Sequence, residues 1–323
     1  MKKSILLFTI LFCFLYDYEK VKAQTINYKS EFGFRSENDS YLAGGQDRYY
    51  TNGLTLNFRT ALNTAKIKNE NLNKMILELE AGQKIFNPQS GSISNSIYVD
   101  RPFAGYLYAG ASLNLLYQSE NNLKLSLQGG TIGPASLAQE AQELMHDVVG
   151  FYKIEGWQWQ VNNEFAINAT AEFNYLINRI ANDKVDFTAN SYLNVGNTFS
   201  GAGAGFTFRS GTINPLFKSS STQSRISNSA SPKDLAEKEF FFYAKPMLNY
   251  VLYDATIQGG LFNKDKGPIV FDTKPLVFTQ QFGASYSRNR ITADFSILFK
   301  TREVKSNAKP HKYGSIALFY RFN

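Results

Sequence analysis

From Glu164 to Tyr175 the chain alternates residue by residue. Phe165, Ile167, Ala169, Ala171, Phe173 and Tyr175 fall on one parity, and Glu164, Asn168, Thr170, Glu172 and Asn174 on the other. The same rhythm returns at 290–302, where Ile291, Ala293, Phe295, Ile297 and Phe299 oppose Arg290, Thr292, Asp294, Ser296 and Lys300. A period of two over this length predicts strands with one apolar and one polar face. Such segments recur at 27–37, 51–61, 72–84, 103–117, 122–132, 163–177, 184–196, 200–210, 238–253, 274–287, 290–302 and 311–322, with 254–273 read as a loop. One stretch, 129–150, has helical period instead. There Leu137, Ala141, Leu144, Met145 and Val148 form an apolar stripe, with His146, Gln139, Gln142 and Glu143 nearly opposite. Pro134 fits just before the helix start, Ser136 with Gln139 resembles a capping box, and Gly150 fits the stop.

The pattern selects an all-β chain: a twelve-stranded antiparallel transmembrane β-barrel with a short extracellular-loop helix. A soluble β-sandwich also alternates, but here several polar parities carry full charges and no covering helices recur. Aromatics are abundant, 19 Tyr and 27 Phe, and many lie near segment ends, where membrane barrels carry aromatic girdles. Past the N-terminal segment no apolar run approaches the ~18 residues of a membrane helix.

Lys2, Lys3, the apolar run Ile5–Tyr16 and Val21-Lys22-Ala23 read as a secretory signal over 1–23, leaving one barrel domain over 24–323. The single cysteine, Cys13, falls inside that signal. The remainder therefore has no disulfide, zinc–thiolate site or cysteine nucleophile. The net charge of +7, of which residues 1–23 contribute +2, is spread thinly, which argues against a nucleic-acid partner.

With the N-terminus in the periplasm, the loops at 38–50, 85–102 and 133–162 share the extracellular rim. The Ser-rich segment 210–237 falls at the opposite end, as a disordered periplasmic loop or as a sign that the strand count is off by one. In the first rim loop, Asn38 and Asp39 offer hard oxygens that suit Ca2+, and parity turns Asp39 and Thr51 toward the same interior. The plainer reading is an Asx-turn. In the second, Arg101 of Asp100-Arg101-Pro102 has the planar fork that binds phosphate, though a rim arginine is often simply solvated. In the third, His146 is a candidate general base, or else an exposed polar-face residue. If it faces the barrel interior, the apolar stripe faces lipid or acyl chains.

The blocks "ENDSYLAGGQDRYYTNGLTLNF", "DRPFAGYLYAGASL", "GPASLAQEAQELMH" and "GWQWQVNNEFAINATAEFNY", in this order, resemble the lipid A 3′-O-deacylase family of outer-membrane barrels. The resemblance runs through most of the chain and is densest from Glu37 to Tyr175. It implies hydrolysis of the 3′ ester of lipid A by histidine-activated water with a calcium oxyanion site. The site would lie between the barrel wall and a loop helix. It further implies His146, Asn38, Asp39, Thr51 and Gln142 as catalytic; Arg101, Asp100 and Tyr50 as substrate-binding; and Asp39, Asn38 and Glu164 as the metal's ligands. The partners implied are lipid A and the outer membrane, with the chain a monomer. Phe103 departs from the family's frequent Tyr, and 210–237 is poorly matched. A non-enzymatic barrel (porin or adhesion protein) and a different outer-membrane acyl hydrolase remain as alternatives.

Overall fold

The computed structural model describes residues 27–42, 47–65, 67, 69–229 and 237–323; the expected signal segment lies outside them. Twelve strands close into a barrel, each antiparallel to both neighbours. They are β1 (Ser30–Asn38), β2 (Tyr49–Ala61), β3 (Leu72–Asn87), β4 (Ala104–Tyr117), β5 (Asn121–Ile132), β6 (Glu164–Ile180), β7 (Val185–Gly196), β8 (Phe199–Thr212), β9 (Glu239–Asp254), β10 (Leu276–Arg288), β11 (Ile291–Lys300) and β12 (His311–Phe322). β1 pairs with β12 from Ser30↔Phe322 to Asn38↔Gly314, so no sheet edge is left open. The start of β1 and the end of β12 lie at one end of the barrel, the terminal end. The loops after β1, β3 and β5 share the other, the loop end.

The faces are inverted relative to a soluble protein. Leu54, Leu56, Phe58, Leu79, Leu127, Phe206 and Phe282 stand exposed on the outer wall. The interior is a charged, hydrogen-bonded lumen. Arg59 bonds Glu31 and Glu78, Arg209 bonds Asp186 through two nitrogens, and Arg321 reaches Glu31 and Thr292. These charges tolerate burial because each meets an opposite charge and further donors or acceptors. An apolar exterior around a polar interior rules out the sandwich and fits a barrel whose solvent is lipid. Among the described residues no helix is long and apolar enough to cross a membrane.

The segment after β8 is neither a loose loop nor a sign of a miscounted strand. Residues 213–229 fold back into the terminal end of the barrel. Ser219, Ser224 and Ile226 are fully buried there. Arg209 donates to Ser219 Oγ at 2.6 Å, Lys74 to the Ser224 and Ile226 carbonyls at 3.2 and 3.1 Å, and Asn114 to the Thr222 carbonyl at 3.0 Å. Serines serve here because short hydroxyls satisfy the lumen's charged groups and the turn's own backbone together. Residues 230–236 of this segment lie outside the described set.

At the loop end the helix α1 (Ala138–Val149) packs on β3 and β4. It rests on the outer wall and does not enter the lumen. Ala138 packs with Ile85, Phe103 and Trp157, and Gln83 donates to the Ser136 carbonyl at 2.7 Å. Gly105 of β4 is required for this approach, since a Cβ there would lie 2.0 Å from Ser136 Oγ and 2.3 Å from Ala138 Cβ. The expected capping box does not form. The helix begins from Leu137 in the left-handed region, and Ser136 Oγ instead donates to the Gly133 carbonyl at 2.6 Å within a 3-10 turn, Pro134–Ser136. Gly150 does stop the helix, at φ 73°, with its N–H on the His146 carbonyl.

Candidate active site

α1 buries Ala138, Gln142 and His146, one residue per turn, and exposes the apolar stripe: Leu144 is 65% and Val148 77% accessible. His146 is 2% exposed, so it is not a solvated polar-face residue. It looks onto the outer face of the wall rather than the interior. The neighbouring Met145 meets Asn52 of β2, whose amide lies 3.5 Å from its sulfur.

The first hairpin supplies the opposite side. β1 ends at Asn38, and Asp39–Leu42 turn as a 3-10 helix back over the outer wall, with Tyr41 OH 2.7 Å from Ser36 Oγ and Tyr41 Cβ against Gly314. β2 carries a bulge at Thr51, between the pairs Tyr50↔Phe86 and Asn52↔Ile85. One extra residue reverses the parity above it. Tyr50 therefore lines the lumen, where its hydroxyl donates to Glu37 at 2.5 Å, and Thr51 does not. Asp39 and Thr51 still meet, as parity suggests, but outside the lumen.

Around Thr51 the polar groups converge. Its hydroxyl lies 3.2 Å from both Asp39 Oδ1 and Asp47 Oδ1. Asp39 Oδ2 accepts the Arg48 N–H at 2.8 Å, and Asn38 Oδ1 accepts the Ser40 N–H at 2.7 Å, the Asx-turn of the plainer reading. Asp47 Oδ2 accepts from Tyr152 OH at 2.6 Å and lies 2.9 Å from His146 Nε2. That last approach lacks hydrogen-bond geometry, so Nε2 has no bonded partner. His146 Nδ1 sits 2.8 Å from the Tyr152 carbonyl, which can only accept. Nδ1 therefore carries a proton, and Nε2 is the nitrogen that faces the Asp47 carboxylate. Gln142 Oε1 accepts from Trp157 Nε1 at 3.1 Å, leaving Gln142 Nε2 buried and unpartnered.

Two carboxylates sharing one hydroxyl in a buried place is an electrostatic deficit. Burial first, then the neighbouring Asp47, push Asp39 up to about 7, against the opposing pull of the Arg48 N–H and the Thr51 hydroxyl. Burial, followed by Asp47, also raises Tyr152, which stays a donor. A hard divalent cation fits this donor set: the Asp39 and Asp47 carboxylates, the Thr51 hydroxyl and Asn38 are all oxygen ligands. Among the described residues no group of three His, Cys, Asp or Glu side chains is placed to hold a metal ion, so the pair of carboxylates would need further oxygen donors to complete a coordination shell.

Glu164 does not join them. It opens β6, four strands away from β2, and its carboxylate is held by the N–H groups of Leu261, Phe262 and Asn263 at 2.9, 2.8 and 2.9 Å and by Asn197 at 3.0 Å. It pins the loop after β9 and has no direction left for a metal. Arg101 is fully buried, donating to Thr256 Oγ1 at 2.8 Å with its guanidinium carbon 4.4 Å from the Phe86 ring centre. No phosphate reaches it in this packing. Asp100 accepts from Tyr49 OH at 2.9 Å and from the Gln89 N–H at 2.8 Å, as scaffold for the rim.

Sequence reasoning missed three members. Asp47 stands in the quoted first motif, but nothing local marks it as the group facing His146. Tyr152 acts through its carbonyl and hydroxyl across a loop. Asn87, at the top of β3, is fully buried with neither side-chain atom bonded. Gly91 is bare beside it: a Cβ there would lie 3.0 Å from both Asn87 Nδ2 and Tyr152 OH. No sequence pattern reports an unpaired amide.

Fold and site together define an outer-membrane β-barrel with a buried histidine–carboxylate centre on its outer wall. The family model for outer membrane protein LpxR matches residues 6–322, and the chain belongs to that family, whose members the sequence blocks resemble as lipid A 3′-O-deacylases. LpxR from Salmonella typhimurium superposes with a TM-score of 0.71 at 19% identity, over 90% of this chain and 100% of that one, which supports the fold. The β-domain of the Bordetella autotransporter BrkA gives 0.45 at 8% identity, over 92% and 100% of the two chains. The translocator domain of NalP from Neisseria meningitidis gives 0.43 at 8%, over 93% and 90%. Scores this low carry no argument. No curated protein matches the sequence.

Proposed function

We propose that this barrel hydrolyses the 3′ acyloxyacyl ester of lipid A at its extracellular rim, with His146 as general base. The observation that carries the reading is the placement of His146. The ring is buried, its Nδ1 is held by the Tyr152 carbonyl, and its Nε2 faces the Asp47 carboxylate of the Thr51–Asp39–Asp47 cluster at 2.9 Å. A base held in this way removes a proton from water as the water oxygen attacks the acyl carbonyl. The proton then passes from Nε2 to the sugar oxygen as the ester C–O bond breaks, leaving a free fatty acid and a hydroxyl. Gln142, held by Trp157, offers its unpartnered Nε2 as a donor on the same side of the helix. Asn38, Asp39, Asp47 and Thr51 would hold Ca2+. When bound, that ion supplies positive charge where the oxyanion develops. The exposed stripe of Leu137, Leu144 and Val148 beside the outer wall gives acyl chains an apolar path to the centre without leaving the bilayer.

An open porin is disfavoured by the folded segment 213–229 inside the terminal end. A different acyl hydrolase is separated by the product. His146→Ala and His146→Asn are assayed on lipid A by mass spectrometry, with heat-modifiable mobility showing that the barrel is folded. Loss of about a thousandfold in rate from both folded variants is expected for a general base. Full activity in either removes His146 from the reaction.

A further inference from the structure

Beside the centre, on the far side of Arg48, lies a second concavity of about 480 Å3. Arg48 and Lys309 line it from different loops, with Gln89, Ser90, Ser92 and Ser94 among its polar walls. Neither cation forms a salt bridge among the described residues, and residues 43–46 are Ala-Gly-Gly-Gln, with no acid to supply one. Asp100, beside the concavity, has its two oxygens turned to Tyr49 OH and the Gln89 N–H. Tyr49 OH in turn accepts the Lys309 N–H at 2.8 Å, which ties the two loops together and holds both cations at one rim. Two cations without a carboxylate partner, among hydroxyl and amide donors, make a site for a compact oxyanion with many acceptors.

Its position says which oxyanion. Arg48 lines the concavity, its guanidinium carbon 5.7 Å from the Tyr49 ring centre, while its backbone N–H bonds Asp39 Oδ2. One residue therefore separates the anion pocket from the hydrolytic centre, and the apolar stripe of α1 lies on the centre's lipid side. We infer that Arg48 and Lys309 form a phosphate subsite that takes the phosphorylated sugar of the glycolipid headgroup and sets its distance from the scissile ester. The inference rests on the deacylase reading and fills the role that the sequence assigns to Arg101, which the fold has buried.

The test uses soluble probes that cannot be hydrolysed. Inorganic phosphate, glucosamine phosphate and glucosamine are titrated by NMR into the detergent-folded full chain and into R48A/K309A. Lys305→Ala, at a rim lysine paired with Asp272, is the control. Glucosamine phosphate should bind about tenfold or more tighter than glucosamine, a preference of the size that charge-assisted contacts give. The double variant should lose that preference, and the Lys305 variant should keep it. Equal binding of the two sugars, or an unchanged preference in R48A/K309A, overturns the subsite. Inorganic phosphate binding as tightly as the sugar phosphate makes it a free-phosphate site and overturns the headgroup assignment. A parallel deacylation assay on lipid A and its dephosphorylated form separates the two ideas. If neither is cleaved, the deacylase reading falls, while the titration still decides the subsite.

Discussion

The barrel lumen and the rim site are built from the same polar residues and treat them in opposite ways. In the lumen three buried arginines are answered: Arg59 by Glu31 and Glu78, Arg209 by Asp186 and Ser219, Arg321 by Glu31 and Thr292. In the rim site Gln142 Nε2 and both polar atoms of Asn87 are buried without partners, His146 Nε2 faces the Asp47 carboxylate at 2.9 Å, and Asp39 and Asp47 share one hydroxyl. Buried polar groups are normally paired, and each that is not costs roughly 1–3 kcal/mol. The lumen is organised to hold the fold. The rim spends stability to keep groups available.

The largest effect that sharpens this contrast is on rate. His146→Ala should lower deacylation by about a thousandfold at nearly unchanged thermal stability. Next comes the opposite kind of residue. Glu78→Leu in the lumen removes the shared partner of Arg59 and Lys124 and should cost about 3–5 kcal/mol in unfolding free energy, as for other buried pairs broken on one side. Equal stability losses in the two variants would erase the distinction.

Asp39 adds a pH signature. Its folded pKa lies above the ordinary carboxylate value, so between about 4 and about 7 the metal-free fold binds the extra proton. Stability of the chelated protein should therefore fall as pH rises through that window, and Asp39→Asn should flatten the profile. The same proton competes with a cation, so calcium affinity should drop as pH falls below about 7. A profile unaffected by Asp39→Asn contradicts the shared-hydroxyl cluster.

The barrel could be read from alternation because a strand wall has one rule, and all twelve expected segments coincide with strands. The site could not be read from parity because it is made where that rule breaks. The bulge at Thr51 inverts the face of Tyr50, and the 3-10 turn at Asp39 carries the chain onto the outer wall. α1 then buries Gln142 and His146 and leaves Leu144 and Val148 of its apolar stripe exposed. Glu164 and Arg101 show the converse. Their motifs were visible, but the loops that consume them, 261–263 and the turn at Thr256, come about a hundred or more residues later.

The smallest expected effect concerns Asn87. Replacing its unpaired amide by a similar-sized apolar side chain, in Asn87→Leu, should leave stability unchanged or raise it by about 1 kcal/mol. Activity should fall by about tenfold, a loss in kcat rather than KM. A destabilised Asn87→Leu with normal kcat would make the amide a packing residue like those of the lumen.

The account's central claim is that the rim cluster on the outer wall is a hydrolytic centre. It is tested most directly by mass spectrometry of lipid A incubated with the folded protein, in calcium and in chelator. The account predicts calcium-dependent loss of the 3′ acyloxyacyl group and of no other chain. An unchanged lipid A mass in calcium, from protein shown to be folded, would contradict it.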